Sequence, residues 1–283
     1  MESALYQEPK GRFIQVITAA VLGSPISHSL SPLLHAKAYA ELGIEGTYGS
    51  REVKFGELKN FLNSDGSVFN NLSLTMPLKE EALAIANSVT KIAQQIQSGN
   101  TLRKVDGKWE LTSTDVEGFS FALHAHGKKA DGNLLVIGAG ATARAVVASC
   151  DGISSSITVI NRSPEREEAI RLAGPKTEIK FIPSDSPIQF EDFDLVVNTT
   201  PGNTASIFCD QITSVNSTFF EVLYNPWPTQ ILSHWRKSGG YGIDGLDLLI
   251  HQAISQVELF AGISIDRSGM AKLLRVEGER ALS

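Results

Sequence analysis

The chain has 283 residues, of which 42% are apolar and 20% are charged, and it carries a formal net charge of −6 at pH 7. This length suffices for two modest domains, and the composition is that of an ordinary folded protein. The negative charge and the lack of clustered Lys and Arg argue against nucleic-acid binding, since phosphate contacts require a basic surface.

Targeting segments, disulfides and metal sites are not indicated. No apolar stretch approaches the roughly 20 residues of a membrane span, and the first 16 residues lack the apolar core of a signal peptide. A cytoplasmic protein without a membrane partner is therefore predicted. The two cysteines, Cys150 and Cys209, are too few for a disulfide framework and lack zinc-site spacing, so we expect buried, reduced thiols and no metal.

The first part of the chain alternates between strands and helices, which is typical of an α/β fold. Ser31-Pro32 and Gly43 bracket a helix, because they supply a cap, a proline in the first turn and a glycine beyond the end. Asp106-Gly107 predicts a hairpin, since this pair adopts the positive φ angles of a tight turn. The other predicted elements are strands over 16–22, 48–53 and 71–74, helices over 55–62 and from Pro77, and hairpin strands over 101–105 and 109–112.

A second alternation follows a predicted helix over 116–125 and a polar, glycine-containing segment over 126–133. Its strands are predicted over 134–137, 157–160, 178–182, 195–198 and 218–222, which indicates a parallel nucleotide-binding sheet. The last long helix, about 246–261 and ended by Gly262, is expected to pack back on the first domain.

A glycine-rich element directly follows the first strand of this second part. The strand leads into Gly138-Ala139-Gly140-Ala141-Thr142-Ala143, a GxGxxA pattern that opens a helix. The first glycine permits a sharp turn, the second lets the backbone approach a pyrophosphate, and the small Ala143 allows the helix to pack closely on the strand. Alone, the pattern has a tight structural turn as its alternative interpretation.

The end of the next strand favours NADP over NAD. It reads Asn161-Arg162-Ser163, where an NAD-binding protein would carry an acid for the ribose 2′-hydroxyl. The guanidinium groups of Arg162 and Arg166 suit the extra 2′-phosphate of NADP in charge and geometry. The alternatives are that both arginines are solvated surface charges, and that the protein binds a nucleotide without being a dehydrogenase.

Two segments of the first part are candidates for substrate contacts. Ser29 and Ser31 precede or begin a helix, where free N–H groups and the helix dipole favour an anion such as a carboxylate, although Ser31 is also explained as an ordinary helix cap. Lys79 lies in the first turn after Pro77, where the helix dipole disfavours a cation, and Asp115 lies at another helix start, so these two side chains are candidates for proton transfer. A surface lysine and an N-cap aspartate are the alternatives.

Taken in order, several motifs resemble the shikimate dehydrogenase family over nearly the whole chain. They are Gly23-Ser24-Pro25-Ile26-Ser27-His28-Ser29-Leu30-Ser31-Pro32, Thr75-Met76-Pro77-Leu78-Lys79, Gly99-Asn100-Thr101, Thr114-Asp115, the glycine-rich element, Asn161-Arg162-Ser163, Tyr224-Asn225-Pro226, Asp244-Gly245-Leu246 and His251-Gln252-Ala253. Ser73 and the run from Tyr224 to Thr229 resemble an actinobacterial-type subgroup.

The resemblance implies an α/β protein of two domains, an α/β substrate-binding domain and a Rossmann-type parallel-sheet NADP domain, with a cleft between them. The substrate domain would comprise 1–114 and the C-terminal helices over 245–283, and the NADP domain 115–244. Many family members have Asn in place of Ser73 and Ser113 and Gly in place of Asp247, and the loop at Thr200-Pro201-Gly202 looks shortened, so fine contacts are expected to differ at these places.

The resemblance also implies the function and the roles of individual residues. The reaction would be the reduction of 3-dehydroshikimate to shikimate with NADPH, in the biosynthesis of aromatic amino acids, with Lys79 and Asp115 as the catalytic pair. Ser29, Ser31 and Tyr224 would bind the substrate carboxylate, and Thr75, Asn100 and Gln252 the ring hydroxyls. The residues implied in cofactor binding are Gly138, Ala139, Gly140, Ala141, Thr142, Asn161, Arg162, Ser163, Arg166, Thr199, Leu223, Gly245 and Leu248.

Two rival functions stay open at this point. The first is a quinate/shikimate dehydrogenase that uses NAD, against which Arg162 and Ser31 count. The second is a nucleotide-sensing protein without activity on the same fold, since a fold does not fix an activity. Both dehydrogenase functions, the preferred one with NADP and the rival with NAD, predict a small-molecule substrate. A homodimer is a possible assembly.

Overall fold

The computed structural model describes residues 16–283, so all of the N-terminal segment in which no signal-peptide core was found, except Val16, lies outside the described residues. The described residues divide into two compact units, the first comprising 16–118 together with Leu249–Ser283, and the second Phe119–Leu248. Within residues 16–283, no helix is both long and apolar enough to cross a membrane.

Twelve strands and ten α-helices make up the two units in the described part of the chain. The strands are β1 (Ile17–Gly23), β2 (Gly46–Glu52), β3 (Asn71–Leu74), β4 (Ser88–Val89), β5 (Thr101–Val105), β6 (Lys108–Thr112), β7 (Asn133–Ile137), β8 (Ser156–Asn161), β9 (Ile179–Pro183), β10 (Leu195–Asn198), β11 (Thr218–Glu221) and β12 (Tyr241–Ile243). The helices are α1 (Ser31–Leu42), α2 (Leu58–Asn63), α3 (Leu78–Glu81), α4 (Lys91–Gln95), α5 (Asp115–Ala125), α6 (Ala141–Cys150), α7 (Glu167–Ala173), α8 (Gln230–Lys237), α9 (Gly245–Ala261) and α10 (Arg267–Leu282).

The first unit is built on a mixed sheet with the strand order β2-β1-β3-β5-β6-β4. β1 lies parallel to both β2 and β3, whereas β5 runs antiparallel to β3 and β6. The predicted hairpin is confirmed, and Asp106 and Gly107 have the positive φ angles, +49° and +75°, that the turn requires. The core of the first unit is formed by side chains from its central strands, among them the fully buried Leu22, Leu72 and Leu102.

The second unit is a six-stranded parallel sheet in the order β12-β11-β10-β7-β8-β9. This order places the first strand of the unit, β7, between β10 and β8, which is the doubly wound arrangement of a Rossmann fold. Trp235 of α8 packs edge-to-face on Phe190 and tilted against Phe219, with ring centroids 5.6 and 5.0 Å apart. The prediction of an α/β fold with a Rossmann-type parallel sheet is therefore confirmed.

Some predicted elements were wrong in their bounds, and others, among them strands β4 and β12 and helix α4, were not predicted. The helix predicted over 55–62 begins only at Leu58, because Gly56 has a φ of +85° and its N–H donates to the Glu81 carboxylate. Strand β4 has only two residues and β12 only three, so neither carries a readable alternation of apolar and polar side chains. The remaining predicted strands and helices are present within a few residues of their expected bounds.

Candidate active site

Lys79 and Asp115 form a close ion pair in the first unit. Lys79 Nζ lies 2.7 Å from Asp115 Oδ2, and the two side chains are 16% and 6% exposed. The helical turn that carries Lys79 is held to the segment before β5, since the Lys79 carbonyl accepts from the Gly99 N–H. Both alternative interpretations were wrong, because Lys79 is not a free surface charge and Asp115 is the first residue inside α5 and not its N-cap.

Asn100 connects this pair to two other elements. Its Nδ2 lies 2.8 Å from Asp115 Oδ1 and 2.9 Å from Gln252 Oε1. Its Oδ1 accepts from the Thr114 backbone N–H at 2.8 Å, and since a backbone N–H can only donate, this contact assigns the oxygen and nitrogen of the amide. The predicted residues Lys79, Asp115, Asn100 and Gln252 therefore meet in one buried polar cluster.

A glycine lets α5 approach α9 closely enough for this contact. A Cβ atom on Gly118 would lie 3.0 Å from the Gln252 nitrogen and 3.1 Å from its Cα, tighter than ordinary van der Waals contact. Asp115 and Gln252 thus reach Asn100 from two helices that touch at a residue without a side chain.

The serine loop, defined as residues 24–30, lies beside the turn that carries Thr75. The Ser24 N–H donates to the Met76 carbonyl at 3.0 Å, and the Thr75 N–H donates to the Leu22 carbonyl at 2.9 Å. Ser29 Oγ accepts from the Ser31 N–H at 3.3 Å. The interpretation of Ser31 as a helix cap was wrong, because Leu30 occupies that position and Ser31 lies inside α1 with 6% exposure.

The second unit contains the strand, glycine turn and helix that the sequence predicts. Gly138 has a φ of +105°, and a Cβ there would lie 2.7 Å from Thr199 Oγ1, so only glycine fits. Gly140 occupies the N-cap of α6, which leaves the first N–H groups of that helix directed at the turn. Within this unit the turn therefore has the geometry of a pyrophosphate site.

Two arginines are relevant to this turn: Arg162 directly follows β8, and Arg166 lies near Gly140. The side chain of Asn161 bonds to both the N–H and the carbonyl of Ser163, at 3.0 and 2.7 Å, which closes a small turn with the exposed Arg162 at its tip. A Cβ on Gly140 would lie 4.0 Å from Arg166 Nη1, so that guanidinium group lies beside the glycine turn. The combination of a glycine cradle and adjacent guanidinium groups fits a nucleotide with a 2′-phosphate.

Gly245, the first residue of α9, packs directly on the segment that follows β11. A Cβ there would come within 2.5 Å of the Val222 and Leu223 carbonyl oxygens. Leu248 is 7% exposed, and Tyr224 follows Leu223 in the same unit. The structure therefore places Leu223 and Gly245 together, as expected for residues implied at one site.

Sequence reasoning missed Glu221, which organises the same region. Glu221 is completely buried at the end of β11, and its carboxylate accepts from Asn198 Nδ2, Thr229 Oγ1 and the Leu223 N–H. Burial raises the pKa of this carboxyl, and the hydrogen bonds oppose that shift. The available signal was a carboxylate that follows two phenylalanines in an apolar strand.

Asp247, where many family members carry glycine, contacts His126 near the end of α5. Asp247 Oδ2 lies 2.9 Å from His126 Nε2, and His126 Nδ1 lies 2.8 Å from the Tyr241 hydroxyl. This departure therefore links the first turn of α9 to the segment after α5. Across residues 16–283, no group of three or more His, Cys, Asp and Glu side chains could hold a metal ion, and both cysteines are buried and unpaired.

His35 of α1 gives a prediction about the pH dependence of stability. Its Nδ1 donates to the Ser31 carbonyl at 2.9 Å, its ring stacks on Tyr48 at 3.8 Å, and burial lowers its pKa from 6.5 to about 4. Between pH 6.5 and pH 4 His35 is protonated in the unfolded chain but neutral in the folded chain. The free energy of unfolding is therefore highest above pH 6.5 and decreases as the pH falls below that value.

The loss from His35 alone should reach about 3 kcal/mol by pH 4. His35→Phe keeps the stacked ring but removes the titration, so the variant should lose less stability on acidification than the parent. Urea unfolding of both proteins at neutral and acid pH measures this difference, and parallel losses would show that His35 is protonated without cost in the folded state.

These features place the chain among two-unit α/β proteins with a Rossmann-type nucleotide-binding half. A family model described as the shikimate dehydrogenase substrate binding domain matches residues 21–102. The NADP-dependent shikimate dehydrogenase of Thermus thermophilus is 33% identical, over 90% of this chain and 97% of that protein. The chain belongs to the NADP-dependent shikimate dehydrogenase family.

Solved structures agree with this assignment. The crystal structure of Mycobacterium tuberculosis shikimate dehydrogenase matches with a TM-score of 0.82 and 32% identity, covering 92% of this chain and 99% of that one. The Thermus thermophilus enzyme in complex with NADP(H) and shikimate matches with a TM-score of 0.81 and 30% identity, covering 93% and 100%.

Proposed function

We propose that this chain, as a member of that family of oxidoreductases, reduces 3-dehydroshikimate to shikimate with Lys79 and Asp115 as its catalytic pair. The observation that carries the proposal is the 2.7 Å contact between Lys79 Nζ and Asp115 Oδ2, in a cluster that also contains Asn100 and Gln252. An ammonium group that is held in place, beside amide side chains able to hydrogen-bond to the ring hydroxyls of a substrate, suits proton transfer to a carbonyl oxygen.

NADPH, when bound, supplies the hydride that reduces the C3 carbonyl. The ammonium group of Lys79 donates a proton to the developing alkoxide and becomes an amine, which regains its proton from solvent. In the reverse direction the amine form accepts the proton of the shikimate hydroxyl. Asp115 orients the ammonium group, and Asn100 holds the other oxygen of that carboxylate, so the acid is positioned before substrate binds.

The remaining predicted substrate residues would bind the rest of the molecule. Ser29 and Ser31 lie at the start of α1, where the helix dipole stabilises a carboxylate, and Tyr224 is proposed as its third partner. Thr75, Asn100 and Gln252 are proposed to contact the ring hydroxyls. The first unit would thus bind the substrate, in line with the predicted domain of 1–114 and 245–283.

The second unit would bind NADP, in line with the predicted domain of 115–244. The glycine turn would receive the pyrophosphate and the two arginines the 2′-phosphate, whereas Thr199, Leu223, Gly245 and Leu248 would lie near the nicotinamide. Two features favour NADP over the NAD-dependent alternative: the arginines suit a 2′-phosphate, and the end of β8 carries no acid for a ribose 2′-hydroxyl. The residues proposed to contact the cofactor are Gly138, Ala139, Gly140, Ala141, Thr142, Asn161, Arg162, Ser163, Arg166, Thr199, Leu223, Gly245 and Leu248.

We further propose a cytoplasmic enzyme without nucleic-acid or membrane partners, which the net charge of −6 supports. A homodimer is the assembly to test, and sedimentation of the purified chain would distinguish it from a monomer.

Shikimate should be strongly preferred to quinate. Quinate carries an extra hydroxyl on the carbon that bears the carboxylate. In the proposed site, Ser29 and Ser31 bind that carboxylate, so the extra hydroxyl would lie close to them. An unpaired hydroxyl in a closed site costs on the order of 1 to 3 kcal/mol, so kcat/KM should fall by roughly 5- to 150-fold. Steady-state assays of both acids with NADP+ measure this ratio, and nearly equal values would contradict the assignment of shikimate as the preferred substrate.

A further inference from the structure

Gln256 lies one helical turn after Gln252 on α9, and its side chain is enclosed, with 2% of the residue exposed. We propose that Gln256 is a positioning residue, which together with the Thr114 N–H holds the orientation of Asn100 and thereby the geometry of the Lys79–Asp115 pair. The inference rests on the proposed function, because it concerns residues behind that pair.

The amide of Gln256 bonds to three groups of the sheet strands and their flanks, and it also faces the His35 imidazole. Its Nε2 donates to Thr101 Oγ1 at 2.9 Å and to the Asn100 backbone carbonyl at 3.2 Å. Its Oε1 accepts from Ser73 Oγ at 2.8 Å. A carbonyl oxygen can only accept a hydrogen bond, so the contact with Asn100 requires the nitrogen to lie on that side and assigns the amide.

This assignment sets the direction of the hydrogen bonds that lead to the catalytic pair. Thr101 Oγ1 carries one proton, which it donates to Asn100 Oδ1 at 2.7 Å. It must therefore accept from Gln256. The Asn100 amide is held with its Nδ2 towards Asp115 Oδ1, and the other oxygen of Asp115 accepts from Lys79. The order of contacts is thus Gln256, Thr101, Asn100, Asp115 and Lys79.

The other side of Gln256 is equally determined. The Tyr48 hydroxyl donates to Ser73 Oγ at 2.6 Å, which leaves the single proton of Ser73 for Gln256 Oε1. Ser73 itself is 4% exposed. Gln256 therefore accepts from the Ser73 hydroxyl and donates to the Thr101 hydroxyl, and neither hydroxyl can exchange roles without breaking a second bond.

Loss of the Gln256 amide would remove one hydrogen bond from each of three buried groups, which would keep only their bonds to the Tyr48 hydroxyl, Asn100 Oδ1 and the Leu74 N–H. The Ser73 and Thr101 hydroxyls and the Asn100 carbonyl lie in a water-poor interior, where an unpaired polar group is costly and neighbouring groups rotate to satisfy it. Thr101 is then free to turn its proton away from Asn100. The carboxylate of Asp115 would be held less firmly, and the ammonium group of Lys79 with it.

Gln256→Met tests this, because methionine has a similar length and forms no comparable hydrogen bond. We expect kcat for shikimate oxidation to fall about 10- to 100-fold, the scale of a small misplacement of catalytic groups, while the KM for NADP+ stays unchanged. Ser255→Ala is the matched control, since Ser255 is equally buried on α9 but bonds to Arg267. Its kcat should match that of the parent.

A double-mutant cycle shows whether Gln256 acts through Asn100. In an Asn100→Ala background, Gln256→Met should cost almost nothing further. Equal losses in both backgrounds, or a parental kcat in the single variant, would overturn the inference. A parent without shikimate-dependent reduction of NADP+ would instead overturn the proposed function, so the two failures are distinguishable.

Gln256→Glu provides an independent readout should the methionine variant fold poorly. Protonated glutamate keeps the acceptor and one of the two donors of the amide, whereas ionised glutamate can only accept. The titratable group that faces position 256 is His35, and burial lowers its pKa to about 4, so it stays neutral at neutral pH. The ratio of parent to variant kcat should therefore increase with pH as the introduced carboxyl ionises, because the donor to Thr101 is then lost. A ratio that does not change with pH would count against a positioning role for the amide nitrogen.

Discussion

Lys79→Ala is expected to lower kcat by about 10²- to 10⁴-fold, the span typical of a positioned general acid or base. The substitution removes the proton donor and leaves Asp115 with only Asn100 as a side-chain partner among those described, but it changes nothing in the second unit. The dissociation constant for NADP+ should therefore stay close to that of the parent, and the loss should reside in the chemical step.

Steady-state kinetics with shikimate and NADP+, combined with direct titration of NADP+, separate these two quantities. Lys59→Ala is a suitable control, since Lys59 is an exposed lysine on α2 of the same unit. Turnover by Lys79→Ala at the parental rate would remove Lys79 from the mechanism. A loss of NADP+ binding of the same size as the loss of kcat would mean that the residue acts on folding.

Arg162→Ala should weaken the use of NADP+ and leave the use of NAD+ nearly unchanged. Only NADP+ presents a 2′-phosphate, and a hydrogen bond to a charged group contributes about 1.5 to 3 kcal/mol, so kcat/KM for NADP+ should fall by roughly 10- to 150-fold. The side chain lies exposed at the tip of the turn that Asn161 and Ser163 close. Its removal should therefore not disturb the turn itself.

Comparison of kcat/KM for both cofactors measures the effect. Arg171→Ala controls for the loss of an arginine in the same unit, because Arg171 bonds to the Ile179 carbonyl and stacks on Phe181, away from the glycine turn. Equal losses with NADP+ and NAD+ would show that Arg162 supports the loop and does not contact the phosphate.

Local chemistry was sufficient to predict much of the fold. The turn at Asp106-Gly107 and the helix end at Gly43 each depend on residues within a few positions, and each has the positive φ angle that the sequence indicates. The glycine turn before α6 is the same kind of signal. The start of α2 was mispredicted because a distant carboxylate, Glu81, bonds to the N–H groups of Gly56 and Leu58.

The candidate site could be predicted only in part, because its contacts are distant in sequence. Lys79 and Asp115 are 36 residues apart, and Asn100 and Gln252 are 152 apart. The resemblance supplied these residues as a set, whereas their meeting depends on the pairing of β3 with β5 and on the approach of α9 at Gly118.

Glu221 and Gln256 were missed for a related reason. Each is a polar residue in an otherwise buried segment, and the sequence does not reveal which partners satisfy a buried polar group. For Gln256, the partners Ser73 and Thr101 come from two different strands. Such residues become interpretable only once the tertiary contacts are known.

The central claim is that this chain transfers hydride between shikimate and NADP+. The most direct test follows NADPH absorbance in a four-way assay of shikimate and quinate, each with NADP+ and NAD+, using the purified chain. Fast turnover of shikimate with NADP+, and much slower turnover in the other three combinations, is the predicted result. No turnover of shikimate with either cofactor would contradict the claim, and faster turnover of quinate with NAD+ would favour the rival dehydrogenase.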